Sequence, residues 1–226
     1  MTIQPKNAFQ SFGLYPTVEL VSARGLYPSY AKRALDIFLV LLSLPVVLPL
    51  TLGMALMILV LERQSPVYWS ERVGRGGRVF RMMKLRTMVN DADARLAAHL
   101  AATPEAAAEW AATQKLKCDP RITRVGLLMR KTSLDELPQL WNVLKGDMAL
   151  VGPRPMMPDQ QPLYPGRAYY ELRPGVTGPW QVSARNLSTF AARADYDGEY
   201  ARNLSFGNDL RLLLRTVMVV LRGTGY

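Results

Sequence analysis

The sequence predicts a membrane-associated protein of mixed fold class, mainly α-helical with one small β-hairpin. Residues 37–61 form an apolar run without a single charged side chain. A glycine-rich stretch at residues 74–77 separates two short β-forming runs, and helix start signals are common in the remainder of the chain. We therefore expect three parts: a loosely ordered tail (1–30), a membrane helix (31–62) and a folded domain (63–226).

The apolar run is long enough to cross a membrane, but two features oppose a simple span. As one helix it would extend ~37 Å, against a hydrocarbon core of ~30 Å. Pro45 and Pro49 each remove a backbone donor from its middle. Both flanks are basic, with Lys32 and Arg33 before the run and Arg63 after it, so the positive-inside rule draws both ends to the cytoplasmic side. These facts favour a re-entrant helix-break-helix, although a kinked single span is an open alternative.

The first part of the domain is predicted to be a β-hairpin. Strand-forming runs near Val67–Trp69 and Val79–Met83 flank a glycine-rich turn at Gly74–Gly77. These glycines would also suit a phosphate cradle, but no strand–loop–helix pattern of the Walker type surrounds them. A tight turn is therefore the better interpretation.

Helices are expected over much of the remaining domain. Residues 91–117 are predicted to form two helices, with Thr103 as the cap of the second and Pro104 in its first turn. A third helix is predicted over residues 132–145. The segments rich in glycine and proline are predicted to be loops: residues 146–158 and 171–186.

The C-terminal residues 208–226 predict an amphipathic helix. Arg211, Arg215 and Arg222 lie near one helical face amid leucine and valine. This pattern is typical of helices that lie in the membrane interface. A packed core helix with a basic edge would show the same pattern, so both interpretations stay open.

Composition narrows the chemistry. The chain of 226 residues has 28 Lys plus Arg against 18 Asp plus Glu and a net charge of +10, which implies an anionic partner. Its single cysteine and single histidine exclude a disulfide framework, a Cys/His zinc site and a C-x-x-C redox pair within one chain. Any metal would be held by oxygen atoms, which favours Mg²⁺, Mn²⁺ or Ca²⁺.

Asp135 and Glu136 are two adjacent carboxylates in this basic chain. One explanation is helix capping, because Ser133 and Glu136 have capping-box spacing and Pro138 places a helix start nearby. The other is catalysis, because a carboxylate is the nucleophile of aspartyl-phosphate enzymes and works there without histidine or cysteine. Such a site needs compensating cations, for which the candidates are Lys84, Arg86, Arg130, Lys131 and Arg154.

Six motifs in order resemble the bacterial sugar transferases, also called monotopic phosphoglycosyl transferases, from about Lys32 to the C-terminus. One is the proline-broken apolar segment. The others are KRALD (32–36), KLRTM (84–88), DPRITRVGLLMRKTSLDELPQLWNVLKGDMALVGPRP (119–155), RPGVTGPWQVSARN (173–186) and DGEYARNLS (197–205). The chain looks most like the short, exopolysaccharide-initiating members.

The resemblance implies an enzyme that moves a hexose-1-phosphate from a UDP-sugar to undecaprenyl phosphate and releases UMP. It implies Asp135 as the nucleophile that forms a phosphosugar–aspartyl intermediate, and Glu136 as a ligand of Mg²⁺ or activator of the lipid phosphate. With Asp135, Glu136 would complete a Mg²⁺ (or Mn²⁺) site. The other matched positions are the basic Lys84, Arg130, Arg154 and Arg185, which the neighbouring Arg86 joins, and the acidic Asp197.

The resemblance also implies a place in the cell. The domain would lie on the cytoplasmic face of the bacterial inner membrane, docked on anionic lipids, and a homodimer stays open. Pro49 takes the family's helix-breaking proline position, but Leu48 replaces the serine that commonly precedes it. The position of the bend is therefore the least defined part of the resemblance.

Two functions without catalysis compete with this interpretation. A basic chain of this kind would also suit nucleic-acid binding, but it carries no nucleic-acid module and its aromatic residues do not follow a basic stripe. A membrane-anchored basic scaffold is the other alternative, which the intact acidic pair and the GPRP loop oppose. Within the enzyme hypothesis the sugar is undetermined, with glucose or galactose expected before N-acetylated sugars.

Overall fold

A computed structural model describes residues 27–113, 116–183 and 189–221. Helices dominate this part of the chain, and two small two-stranded sheets accompany them. The predicted class, mainly α with a small β-hairpin, is confirmed. Of the predicted tail (residues 1–30), residues 1–26 lie outside the described residues.

The elements run in the following order. The helices are α1 (Lys32–Met57), α2 (Ala92–Ala102), α3 (Pro104–Thr113), α4 (Arg124–Thr132), α5 (Gln139–Lys145), α6 (Ala168–Glu171), α7 (Pro179–Val182), α8 (Arg193–Arg202) and α9 (Phe206–Leu221). The strands are β1 (Val67–Val73), β2 (Val79–Leu85), β3 (Ala149–Val151) and β4 (Gly175–Thr177). π-helical turns extend α1 at Tyr27–Ala31 and Ile58–Glu62, and 3₁₀ turns lie at Arg75–Gly77, Leu134–Glu136 and Pro158–Leu163.

The predicted hairpin is confirmed, and its register decides which side chains share a face. β1 and β2 pair antiparallel, with Arg72 opposite Phe80 and Tyr68 opposite Lys84. Opposed residues and residues two apart point to the same side of a sheet. Arg72, Met82 and Lys84 therefore project from one face of the hairpin.

The loops predicted at residues 146–158 and 171–186 contain short elements that the sequence did not reveal. β3 and β4 pair in parallel, and Gly152 N donates to Thr177 O at 2.9 Å. A Cβ on Gly175 would lie 2.1 Å from Gly152 N, so glycine is required where these two backbones meet. This pairing fixes the segment that leads into the GPRP loop.

The prediction of a single helix over residues 132–145 is wrong. The chain forms α4 up to Thr132, a 3₁₀ turn over Leu134–Glu136 and α5 from Gln139. Ser133 has a φ of 58° and ends α4, and its side chain caps nothing, so the capping-box interpretation is also wrong. Pro138 precedes α5 as expected. The helices α4 and α8 were not predicted.

The N-terminal half of α1 is fixed to the domain by polar contacts. Arg33 donates to the carbonyls of Val143 and Leu144 at the end of α5. Asp36 accepts from Leu150 N at 3.3 Å. One turn further, Val40 is buried in a core cluster that includes Met82 of β2.

The C-terminal end of α1 packs on the same domain. Ile58 is fully buried in a second cluster with Leu85 of β2 and with Val125 and Met129 of α4. Between the two anchored ends, apolar side chains such as Leu42 are largely exposed. Lys32–Glu62 is the one helix in the described ranges that length and composition would allow to cross a membrane. Helical structure continues through both prolines, and the bend at Pro49 stays a prediction.

The predicted C-terminal helix is confirmed as α9, while Arg222 lies outside the described residues. Its inner face carries Asp209, which accepts hydrogen bonds of 2.6 Å from Lys32, Tyr27 and Tyr200. Its outer face is apolar and exposed at Leu210, Leu214, Val217 and Met218. This buried network joins the start of α1 to α9.

Candidate active site

Asp135 and Glu136 lie in the 3₁₀ turn that joins α4 to α5. The turn forms because Ser133, in the left-handed region, ends α4, and Pro138 starts a new helix four residues after Leu134. The Asp135 side chain turns inward and is only 8% exposed. Glu136 points to a cavity beside the hairpin.

The environment of Asp135 favours its neutral form. Burial, the largest effect, and the neighbouring charge of Glu136 both raise the pKa of its carboxyl, which is about 6. The cations Lys84 and Arg130 oppose this shift. Asp135 is therefore a buried carboxyl that still ionises near neutral pH.

Lys84 and Glu136 form an ion pair that connects the hairpin to this turn. Lys84 Nζ donates to Glu136 Oε1 at 2.8 Å, with both side chains largely covered. Lys84 reaches the turn from the hairpin face that also carries Arg72 and Met82. The two predicted site residues are thus brought into direct contact.

Arg130 supports the acidic pair from α4. Its Nε donates to Thr87 Oγ1 at 2.9 Å, which holds the guanidinium next to the end of β2. Burial lowers the pKa of Arg130, and the attraction of Asp135 partly restores it. Arg130 therefore supplies a fixed positive charge beside Asp135.

The cavity beside Glu136 has a polar lining. Its walls are Arg72, Met82, Lys84, Glu136, Gln139, Arg154, Pro155, Val176 and Gln181. Three predicted residues, Lys84, Glu136 and Arg154, are brought together here. The polar residues that sequence reasoning missed are Arg72, Gln139 and Gln181. Arg72 had a detectable signal, because the hairpin register places it on the face of Lys84.

Asp197 lies in a neighbouring cluster and does not line this cavity. Its carboxylate accepts from Tyr164 OH at 2.8 Å. Burial raises its pKa to about 7, against the lowering effects of the Tyr164 hydroxyl and of Arg193. The Arg193 guanidinium lies 4.3 Å from the Trp180 ring, and Arg154 lies 5.6 Å from the same ring. Trp180 thus joins the Asp197 cluster to the cavity.

Two other predicted residues stand apart. Arg86 Nε donates to Ser65 O at 2.9 Å, and its guanidinium lies 5.8 Å from the Tyr68 ring, so its contacts are at the edge of the hairpin. Arg185 lies outside the described residues. The phosphate-binding roles given to both stay predictions.

A divalent cation at this site would be bound by two protein carboxylates. Within residues 27–113, 116–183 and 189–221 no group of three His, Cys, Asp or Glu side chains is placed to hold a metal ion. Adjacent Asp135 and Glu136 nevertheless fit Mg²⁺, which usually binds one or two carboxylates, several waters and substrate phosphate oxygens. The residues present therefore suit a metal that arrives with a phosphorylated substrate.

Comparison with known proteins gives consistent matches. The family model described as bacterial sugar transferase matches residues 27–223. The UDP-galactose-lipid carrier transferase of Erwinia amylovora is 44% identical over 200 residues. The undecaprenyl-phosphate galactose phosphotransferase of Salmonella typhimurium is 45% identical over 198 residues, and the exopolysaccharide production protein ExoY of Sinorhizobium fredii is 39% identical over 197 residues.

The extent of these matches differs. The first two cover 87% of this chain but only 41% of the relative, so the chain spans about two fifths of the length of those proteins. The match to ExoY covers 86% of this chain and 87% of the relative. The family-model match over residues 27–223 includes every element that builds the site described above.

Proposed function

Because the chain belongs to the bacterial sugar transferase family, we propose that it transfers a hexose-1-phosphate from a UDP-sugar to undecaprenyl phosphate and releases UMP. Such a reaction begins the assembly of an exopolysaccharide or related glycoconjugate. The observation that carries the proposal is the buried Asp135, which adjoins Glu136 and whose pKa the nearby cations Lys84 and Arg130 both lower. Galactose is the first sugar to test, because two of the relatives are named for it.

In the first half-reaction, a carboxylate oxygen of Asp135 attacks the sugar-bearing phosphorus of the donor. The bond from that phosphorus to the bridging oxygen breaks, and the electron pair leaves with UMP. A hexose phosphate is then attached to Asp135 as an acyl phosphate. The pKa of about 6 suits this role, because the carboxyl is mostly ionised at pH 7 but is poorly solvated and therefore reactive.

In the second half-reaction, a phosphate oxygen of the lipid attacks the same phosphorus. The bond to Asp135 breaks, and the carboxylate is regenerated as the lipid-linked sugar diphosphate leaves. Lys84 and Arg130 stabilise the negative charge that spreads over the phosphoryl oxygens in both transition states. One small site can thereby serve a soluble donor and then a lipid acceptor.

Mg²⁺, or Mn²⁺, is part of the proposal. Asp135 and Glu136 would hold it together with substrate phosphate oxygens, and it would neutralise phosphate charge. Lys84 already compensates the charge of Glu136 through an ion pair of 2.8 Å. This leaves Asp135 as the one buried carboxyl of the pair available to attack.

The proposal includes a re-entrant α1. Val40 and Ile58 would lie ~27 Å apart in a straight helix. They pack in clusters that contain Met82 and Leu85, which are only ~10 Å apart along β2. A bend in the stretch that holds Pro45 and Pro49 reconciles these distances and supports a hairpin whose exposed middle enters one leaflet.

This topology supports a site at the membrane surface. The domain would lie on the cytoplasmic face of the bacterial inner membrane, where UDP-sugars are dissolved and the lipid phosphate is confined. The net charge of +10 supports docking on anionic lipids, at about 1 kcal/mol for each basic residue near the surface. The apolar outer face of α9 would lie in the interface.

Release of UMP tests the proposal. Purified protein in nanodiscs is supplied with undecaprenyl phosphate and each of several UDP-sugars, and UMP is measured. We expect release with one sugar, dependent on the lipid beyond a first turnover. Absence of UMP with every common UDP-sugar, in protein shown to be folded, would reject the function.

A further inference from the structure

The cavity carries a second pair of cations that the acidic turn does not use. Arg72 enters from the end of β1, and Arg154 enters from the GPRP loop. We propose that these two guanidiniums form a binding site for the phosphate of the nucleoside monophosphate that leaves in the first half-reaction. The inference rests on the proposed function and adds Arg72 to the residues that contact the donor.

The backbone holds the two arginines side by side. Val73 N donates to Met156 O at 3.0 Å, which pairs the residue after Arg72 with the second residue after Arg154. The Tyr169 hydroxyl donates to Val73 O and accepts from Met156 N. Val73, Met156 and Tyr169 are all buried. The spacing of the arginines is therefore built into the core.

Within the described residues, the pair makes no ion pair with a carboxylate, and Asp159 exerts only the smallest influence on the pKa of Arg72. In the part of the chain that the structure describes, neither guanidinium has a carboxylate oxygen within 4.0 Å. Burial lowers the pKa of Arg72, and repulsion from Arg154 lowers it further. Two like charges held together in a poorly solvated place favour an anion between them.

The pair lies at the opposite end of the hairpin face from the nucleophile. Arg72 faces Phe80, and Lys84 follows Phe80 by four residues, a distance of ~13 Å along β2. Lys84 and Arg130 are the cations that act on Asp135, whereas Arg154 is the first charged neighbour of Arg72. The cavity therefore has one end at Lys84 and Glu136, beside the turn that carries Asp135, and a cationic far end.

Displacement at phosphorus places nucleophile and leaving group roughly in line. Asp135 itself does not line the cavity, but its neighbour Glu136 does, so attack from this turn would direct the departing phosphate toward the other end. A guanidinium pair there would stabilise the charge that develops on the leaving oxygen and would bind free UMP. A planar guanidinium suits this role, because it can contact two phosphate oxygens at once.

The test compares Arg72→Gln with Arg78→Gln, which removes the same charge from an exposed position of the same hairpin. UMP and uridine affinities are measured directly on the full-length protein in nanodiscs. We expect Arg72→Gln to weaken UMP binding about tenfold or more, to leave uridine binding unchanged, and to leave the melting temperature close to that of the original protein. The UMP affinity of Arg72→Lys should lie between those of Arg72→Gln and the original protein, and the UMP affinity of Arg78→Gln should equal that of the original protein. Unchanged UMP affinity in Arg72→Gln would overturn the inference.

The two half-reactions provide the second test. Exchange of labelled UMP into UDP-sugar without lipid reports the first half-reaction, and transfer from preformed phosphosugar–enzyme to undecaprenyl phosphate reports the second. We expect Arg72→Gln to slow exchange at least as strongly as lipid transfer, because in-line attack on the intermediate brings the acceptor phosphate to the place that UMP leaves. Slowed lipid transfer with normal exchange would assign the pair to the acceptor phosphate and overturn the inference. Failure of the original protein to release UMP would instead reject the proposed function, a result that the binding test does not depend on.

Discussion

Lys84 Nζ lies 2.8 Å from Glu136 Oε1, and this contact joins the β-hairpin to the turn that carries Asp135. The two residues are 52 positions apart in the chain. Two cations, Lys84 and Arg130, lower the pKa of Asp135, and Lys84 has the larger effect. The ion pair therefore controls both the position and the ionisation of the proposed nucleophile.

Lys84→Gln should shift the pH dependence of the first half-reaction. Asp135 attacks only when ionised, so activity should rise with pH through its pKa of about 6. Without the ammonium that pKa rises, and the acidic limb of the rate profile should move to higher pH as the maximal rate falls. UMP release between about pH 5 and 8 measures both effects. The control is Lys145→Gln, because the side chain of Lys145 is half exposed. If the acidic limb of the rate profile in Lys84→Gln stays at the pH of the original protein, Lys84 does not control the ionisation of Asp135.

Asp135→Asn should abolish transfer and at the same time stabilise the fold. The folded-state pKa of about 6 exceeds the ordinary value of 3.8, so the carboxyl carries a cost in the native state that is absent below pH 3.8 and complete above about pH 6. A neutral amide avoids that cost, and the free energy of unfolding at neutral pH should increase by ~1–3 kcal/mol. Thermal or denaturant unfolding at pH 5 and pH 7 checks the sign. A variant that is active, or less stable at pH 7, would refute this role.

Arg154→Lys should impair turnover although it keeps the charge. An ammonium cannot reproduce the planar two-point contact of a guanidinium with phosphate, and we expect a loss of about tenfold or more in kcat/KM for the donor. Steady-state UMP release at varied UDP-sugar gives this ratio. Arg81→Lys is the matched control, because Arg81 projects from the face of β2 opposite to the one that carries Met82 and Lys84. Equal kcat/KM in Arg154→Lys and the original protein would remove Arg154 from the phosphate site.

Removal of divalent metal should stop the reaction without unfolding the protein. Asp135 and Glu136 are two carboxylates on one short turn, and a third cation beside Lys84 and Arg130 would be needed to bring a diphosphate to them. EDTA should silence UMP release, and excess Mg²⁺ or Mn²⁺ should restore it while the far-UV circular dichroism stays constant. Full activity in EDTA would exclude the metal from the proposal.

Cysteine labelling should place both ends of α1 on the cytoplasmic side. In a Cys118→Ser background, Tyr30→Cys and Ser65→Cys provide exposed thiols at the two ends of the helix. Both should resist a membrane-impermeant maleimide in intact cells and react after permeabilisation. Labelling of either one alone in intact cells would establish a single span and exclude the re-entrant helix.

Patterns in the sequence are sufficient for the parts of the fold that have strong local signals. The apolar run, the hairpin around Gly74–Gly77 and the paired helices α2 and α3 are all placed where residue periodicity and turn chemistry predict them. The strands β3 and β4 are three residues each, too short for a period to emerge. They exist because Gly152 and Gly175 let two distant backbones meet, which only tertiary structure reveals.

The candidate site likewise has residues that the sequence identifies and a local structure that it does not predict. Asp135, Glu136, Lys84 and Arg154 could be named from residue type and motif. Their local structure could not, because Ser133 adopts a left-handed conformation that no single residue pattern predicts, and the expected cap is the end of the previous helix. Arg72 belongs to the cavity through strand register and through the Val73–Met156 contact, so its place depends on pairing across the fold.

The proposed mechanism depends on covalent attachment of a sugar phosphate to Asp135, and mass spectrometry of the quenched protein detects this adduct. The protein is mixed with its UDP-sugar in the absence of lipid, stopped in acid within the first turnover and digested. We expect a peptide heavier by one hexose phosphate, with the modification on Asp135, and we expect it to disappear when undecaprenyl phosphate is added. Release of UMP without any such adduct, or an adduct on another residue, would contradict the proposed mechanism.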